Sequence, residues 1–267
     1  MKDYELIIAT DLDFPTLSQI NAACRLANKP FYAAGAHGLY GFGFADLISH
    51  DYIVKSVPSN IQVKVGSKPS STHSVLAVQK KREDDKVWQF VEHRRTYSPL
   101  QLANSSPLHP FLQGNRRRLK DVTFLLPCLR ALWEFETQSG RSPVPVQTPD
   151  DLKVFTTLAM QKSKELGLPD ETMNAEFLRK FLQNIGSELA PVTAMLGGLL
   201  AQDAINVIQH CEAPINNLCL FDGETYKVPI YSLHPESFDG AVDGDTSHVA
   251  NGSATRAKTP EGAIELD

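Results

Sequence analysis

The sequence predicts an α/β fold, and three observations carry that prediction. Two short apolar runs, "YELIIAT" at 4–10 and "KPFYAAG" at 29–35, flank a stretch of helical periodicity, which is the order of a βαβ unit. Helical patterns then dominate from 116 to 210. Strand-type segments return after them in "NNLCLFDGETYKVPIYSL".

Taken in order, "YELIIAT" ends at the turn-forming "DLDFP" and reads as a buried parallel strand. Beyond Pro15, residues Leu17, Ile20, Cys24 and Ala27 recur at helical spacing, with Pro15 and Thr16 in the first turn. "KPFYAAG" is the second strand, reached by a crossover of the right-handed kind. "YGFGFADL" and "SHDYIVKSV" alternate as two further strands joined near 47–49. Residues 56–86 mix Ser, Pro, Lys and short apolar pieces, and read as a partly mobile excursion with one or two weak strands. In "RLKDVTFLLPCLRALWEFETQSG" a single apolar stripe runs from Leu119 to Trp133, with Pro127 to kink or split it and Gly140 to stop it.

"TPDDLKVFTTLAMQKSKELG" opens with Thr148 as cap, Pro149 at the first helical position and Asp151 facing the helix dipole. "NAEFLRKFLQNIG" is a third helix. "PVTAMLGGLLAQDAINVIQH" is apolar nearly all round and predicts a buried helix. Gly197 and Gly198 in its middle cost roughly 1 kcal/mol each against alanine, and the return expected is close approach of a neighbouring backbone. The last strands form a hairpin across Asp222-Gly223. Residues 236–267 lack periodicity and predict a disordered acidic tail.

The net charge of −5 is concentrated in that tail, which carries seven acids against two bases. A charge-balanced body gives no general reason to expect nucleic acid as a partner. The four cysteines, Cys24, Cys128, Cys211 and Cys219, form no C-x-x-C pair, which points to a reducing compartment and away from a disulfide framework or zinc cage. Met1-Lys2-Asp3-Tyr4-Glu5 lacks the long apolar core of a secretory signal. The apolar run 191–201 is too short to span a bilayer, so no membrane is expected as a partner.

Gly35, Gly38, Gly41 and Gly43 crowd one short stretch, as glycines do around a phosphate. A phosphate loop opens a helix, whose N-terminus supplies the donors; here the pattern that follows is a strand. The glycines are therefore structural: Gly35 and Gly38 for a tight turn, Gly41 and Gly43 for close packing. His37 is placed to polarise a substrate but has no acid or nucleophile near it in sequence, and reads as satisfied or solvent-facing. His210-Cys211 with Cys219 makes an incomplete ligand set. Cys24, Cys128 and Cys219 fall on apolar faces as small buried hydrophobes. Asp11 and Asp13 follow the first strand at its carboxyl end, where magnesium-nucleotide acids sit, but Asp13 reads as a helix cap. Arg116-Arg117-Arg118 and Lys80-Lys81-Arg82 read as solvated surface, the second suited to assist nuclear import. No residue is assigned a catalytic, cofactor-binding or metal role.

Four segments carry a resemblance. "PFYAAGAHGLYGFGFADLISHDYIV", "RALWEFETQSGRSPV", "ELAPVTAMLGGLLAQDAINVI" and "NNLCLFDG" resemble the ubiquitin-activating superfamily, and within it the small regulatory subunits of SUMO-activating enzymes. The third is the most specific, following E-[LM]-x-P-V-x-A-x-x-G-G-x-x-A-Q-[ED] almost position by position. The resemblance implies a partial Rossmann-like adenylation domain over 1–235, with a helical insertion at about 56–186. It implies a non-catalytic subunit of a heterodimer, in the nucleus or else the cytoplasm. The large partner subunit would hold ATP, magnesium and the catalytic cysteine, adenylate the SUMO modifier and take it as a thioester.

Active subunits carry Asp-Asn-x-x-Ala-Arg after the strand equivalent to "LIIAT". Here "DLDFPTLSQIN" keeps acids but has Ser18-Gln19 where Ala-Arg would fall, and the first basic side chain is Arg25. The family's N-terminal βαβαβ half is also missing, an expected deficit of about 80–100 residues at about 30 per βαβ unit. The alternatives are a regulatory subunit for the NEDD8 modifier and a stand-alone adenylyltransferase of the molybdopterin or thiamine type. The second needs a phosphate turn and an acid–arginine pair that the sequence does not show.

Overall fold

A computed structural model describes residues 4–58, 62–83, 85–143, 148–169 and 175–235. The expected acidic tail lies outside the described residues. The fold is mixed α/β, with two sheets and helices on both faces of the larger one.

The first strand β1 (Ile7–Thr10), the helix α1 (Phe14–Leu26) and β2 (Phe31–His37) form the expected βαβ unit, with β1 parallel to β2. Asp13 starts the helix by accepting from Thr16 N at 2.8 Å, and Phe14, Leu17, Asn21 and Cys24 form its buried side. β3 (Tyr40–Asp46), β7 (Leu218–Asp222) and β8 (Ile230–Tyr231) follow antiparallel, giving the order β1-β2-β3-β7-β8. β1 is therefore an edge strand with Ile8 49% exposed, rather than the fully buried strand its composition predicts.

At Ile48 the backbone enters the left-handed region, φ 61°, and the chain turns into a second sheet. That sheet has the order β4-β6-β5, built from β4 (Ser49–Ser56), β5 (His73–Glu83) and β6 (Lys86–Thr96). The weak strands expected within 56–86 are in fact one arm of a long antiparallel hairpin, whose other arm runs to Thr96.

Short helices α2 (Leu100–Ser105), α3 (Pro110–Gln113) and α4 (Arg116–Lys120) lead to α5 (Leu125–Ser139). The predicted stripe splits, and Pro127 falls in the first turn of α5, where its missing N–H costs nothing. Gly140 closes α5 at φ 65°. In α6 (Pro149–Glu165) the Thr148 hydroxyl accepts from Asp151 N, while the Asp151 carboxylate accepts from Thr148 N. With α7 (Ala175–Asn184), these helices and α1 bury one core against the sheet. Trp133 lies at its centre, 5.0 Å from the Phe14 ring and 5.3 Å from that of Phe42.

The opposite sheet face is covered by α8 (Ala190–Ile208). Its inner side packs through Val192, Leu196, Leu200, Ala204 and Val207. Asp203 fastens it, accepting from Tyr32 Oη at 2.6 Å and from Ile215 N at 3.0 Å. The helix is not buried all round as expected. Met195, Ile205 and Ile208 are 54%, 49% and 55% exposed on its outer side. By length and composition α8 reaches what a membrane-crossing helix needs, but its inner side is packed like that of a core-facing helix.

Candidate functional site

The carboxyl end of β1 is where an adenylating site would lie, and of its two acids Asp13 is already engaged. Asp11 is exposed with φ 55°. Asp13 caps α1, and Phe14 N donates to Glu136 Oε2 at 3.0 Å. Two carboxylates thus occupy the helix N-terminus that a phosphate would need. Burial pushes the Glu136 carboxyl up to about 7, against the pull of the Phe14 N–H.

Arg25 is also committed. Its Nη1 donates to both carboxylate oxygens of Asp46, at 2.7 and 2.8 Å, and to Tyr97 O at 3.2 Å. Asp46, fully buried, accepts further from Asn21 Nδ2 at 2.7 Å and Ile48 N at 3.0 Å. Asn21 in turn accepts from Leu100 N at 2.9 Å. This latch ties α1, the end of β3 and α2 together. With Asp13 and Arg25 held in this way, Asp11 is the one of the three left open to a magnesium nucleotide.

The glycines divide by task. Gly38 sits at φ 62° in the β2–β3 turn. A side chain at Gly41 would strike Leu196, and one at Gly43 would come 2.8 Å from Cys219 Sγ and 3.1 Å from Leu200. These two let α8 lie directly on β3. Gly35, expected in the turn, is within β2, where a side chain would meet the Phe42 ring at 2.6 Å. Gly197 and Gly198 differ from expectation: among the described residues a side chain at either would meet nothing within 4 Å, so no backbone approaches them there.

His37 is neither solvent-facing nor fully satisfied. It packs against Phe42 and Phe181, its Nδ1 accepts from Gly186 N at 3.3 Å, and its Nε2 is buried without a partner. Burial lowers its pKa to about 4. Cys24, Cys128 and Cys219 are buried, and burial raises all three thiols, Cys219 to about 12. Cys211 is half-buried beside β4. Among the described residues no group of three His, Cys, Asp or Glu side chains is placed to hold a metal. In the basic clusters, Arg118 stacks on Phe111 at 3.5 Å and Arg82 pairs with Asp85 at 3.2 Å.

What the site residues leave over is a surface. The outer side of α8 presents Pro191, Ala194, Met195, Gly198, Ala201 and Ile205, an apolar strip without a charge along a helix of 19 residues, about 28 Å. Its centre is small and its ends are large, a shape that lets another backbone lie close. The all-round apolar composition was the sequence signal for it, since such a helix is either enclosed or covered by something else.

No family profile matches the chain. Against curated proteins it is 32% identical over 231 residues to DNA damage tolerance protein rad31 of Schizosaccharomyces pombe, covering 86% of this chain and 61% of that protein. With DNA damage tolerance protein RHC31 of Saccharomyces cerevisiae it shares 29% identity over 236 residues, covering 87% and 65%. With SUMO-activating enzyme subunit 1 of Homo sapiens it shares 22% over 221 residues, covering 82% and 60%. The chain spans about three fifths of the length of the curated relatives it matches. It is a homologue of SUMO-activating enzyme subunit 1 and of these two yeast proteins.

Proposed function

We propose that the chain acts as the small, non-catalytic subunit of a SUMO-activating heterodimer, with a partial Rossmann-like adenylation fold. The observation that carries this reading is the uncharged outer strip of α8, an exposed apolar surface of the kind that marks a protein interface. The large partner subunit covers that strip and supplies ATP, magnesium and the catalytic cysteine. The committed Arg25, the occupied N-terminus of α1 and the three buried thiols support a subunit that does no bond-making itself. The exposed Lys80 and Arg82 suit a nuclear address.

Co-expression with the large catalytic subunit tests the proposal. The chain is expected to copurify with it and to support thioester formation with the SUMO modifier. Met195→Glu is expected to abolish copurification while leaving the melting temperature of the isolated chain unchanged. If the wild-type chain fails to copurify, or if Met195→Glu binds as well as wild type, the strip is not the interface.

A further inference from the structure

One face of the second sheet gathers histidines around a single guanidinium. The register sets His50 of β4, Arg95 of β6 and His73 of β5 opposite one another across three adjacent strands, so their side chains share a face. His93 precedes Arg95 by two residues on that face, its Nδ1 2.9 Å from His73 Nε2. Tyr52 stacks on His93 at 5.2 Å, and the Arg95 guanidinium lies 5.9 Å from the Tyr52 ring centre. Tyr97, bonded through its N to Ile48 O, follows on the same side of the chain as Arg95. His210 covers His50 from beyond α8, with ring centres 4.9 Å apart.

Among the described residues, His50 Nε2 and Arg95 Nε are buried without a hydrogen-bond partner, and Tyr97 Oη, also buried, has only the Arg95 guanidinium beside it. His50 and Tyr97 are only 6% and 4% exposed. The carboxylates nearest to them are already used. Asp51, on the other face, is held by Arg94 through two bonds of 2.7 Å, and Asp203 is engaged by Tyr32 and Ile215. His234 brings no charge: burial, and then Arg95 and His109, lower its pKa to about 4, and its ring pairs with Ser98 and Asn216 at 2.9 Å each. A buried guanidinium Nε and two buried donors without an acceptor lower stability, and a bound anion accepting from them restores it.

We propose that this array binds a phosphate-type oxyanion, free or carried on a modified protein side chain, with Arg95 as its charge partner and His50 and Tyr97 as neutral donors. Guanidinium and hydroxyl donors suit a tetrahedral oxyanion, and the imidazole donates when its proton is on Nε2. His50 is neutral at pH 7: burial and His210 lower its pKa to about 4, against the pull of Asp51. His73, His93 and Arg95 are only half-buried, which leaves that end of the array open to a small ion.

The test is a titration of the 267-residue chain with inorganic phosphate at constant ionic strength, reading the histidine Cε1–H resonances by NMR. Saturable shifts of His50 and His73 at about millimolar phosphate are expected, with His37 unmoved and chloride without effect. Arg95→Gln should abolish the saturation, and Tyr97→Phe, which removes one hydroxyl, should weaken binding about fivefold. A phosphoserine peptide that binds about tenfold more tightly than inorganic phosphate assigns the ligand to a protein; equal affinity assigns it to the free ion. Unsaturable shifts, or a folded Arg95→Gln or Tyr97→Phe chain that titrates like wild type, would overturn the proposal.

Discussion

The two faces of the five-stranded sheet are covered by helices of similar apolar character, yet only one cover is closed. On the first face α1, α5, α6 and α7 surround Trp133 and Phe155, which are 3% and 0% exposed. On the second, α8 packs one side on β2 and β3 and turns an equally apolar side outward. Burial within the chain and readiness for a partner thus come from the same residue types, and what separates them is whether a second layer exists.

Substitutions should break that contrast in order of size. Trp133→Ala, in the closed cover, should cost about 3–5 kcal/mol by leaving a cavity among Phe14 and Phe42, read as a fall in denaturant midpoint. Asp203→Ala should cost about 2–4 kcal/mol, because it strands the buried Tyr32 hydroxyl and the Ile215 N–H while removing no packed hydrocarbon. A loss as large as that of Trp133→Ala would mean that α8 detaches as a whole.

Glu136 gives the closed cover a pH dependence. Its carboxyl titrates near 7 in the folded chain, raised by burial, against about 4.3 when unfolded. Between those values the folded chain holds more protons than the unfolded one, so stability falls as pH rises from about 4.3 through 7. Glu136→Gln should flatten that fall by about 1–3 kcal/mol, measured by urea denaturation at pH 5 and pH 8.

The smallest change should have the opposite sign. Gly197→Ala and Gly198→Ala have open space at Cβ and should each stabilise the isolated chain by about 1 kcal/mol. If the partner's backbone lies close along this strip, the same methyl groups should weaken copurification. A gain in both assays would place the partner's contact elsewhere.

Much of this was legible locally. Thr148, Pro149 and Asp151 mark the start of α6 by chemistry confined to one turn, and Asp13 does the same for α1. The βαβ unit is visible because its two strands and helix each carry their own period. β6 was not, because its inward positions include Gln89, His93 and Arg95, which break the apolar alternation that marks a strand. The burial of His37 depends on Phe181, far along the chain, and the Asp46 latch draws on Asn21 and Arg25 of α1, 25 and 21 residues before it. The half-closed state of α8 was the hardest to read, since composition reports apolarity and not which layer supplies the cover.

The unequal burial of the four thiols has a practical consequence. Cys24, Cys128 and Cys219 are enclosed and held protonated, while Cys211 is half-open and forms a backbone bridge with Ile53 of β4. A thiol-reactive fluorophore added to the native chain should therefore attach at one position, and that position is the seam where α8 ends and the second sheet begins. Its emission would show any shift of that sheet without engineering the sequence at all.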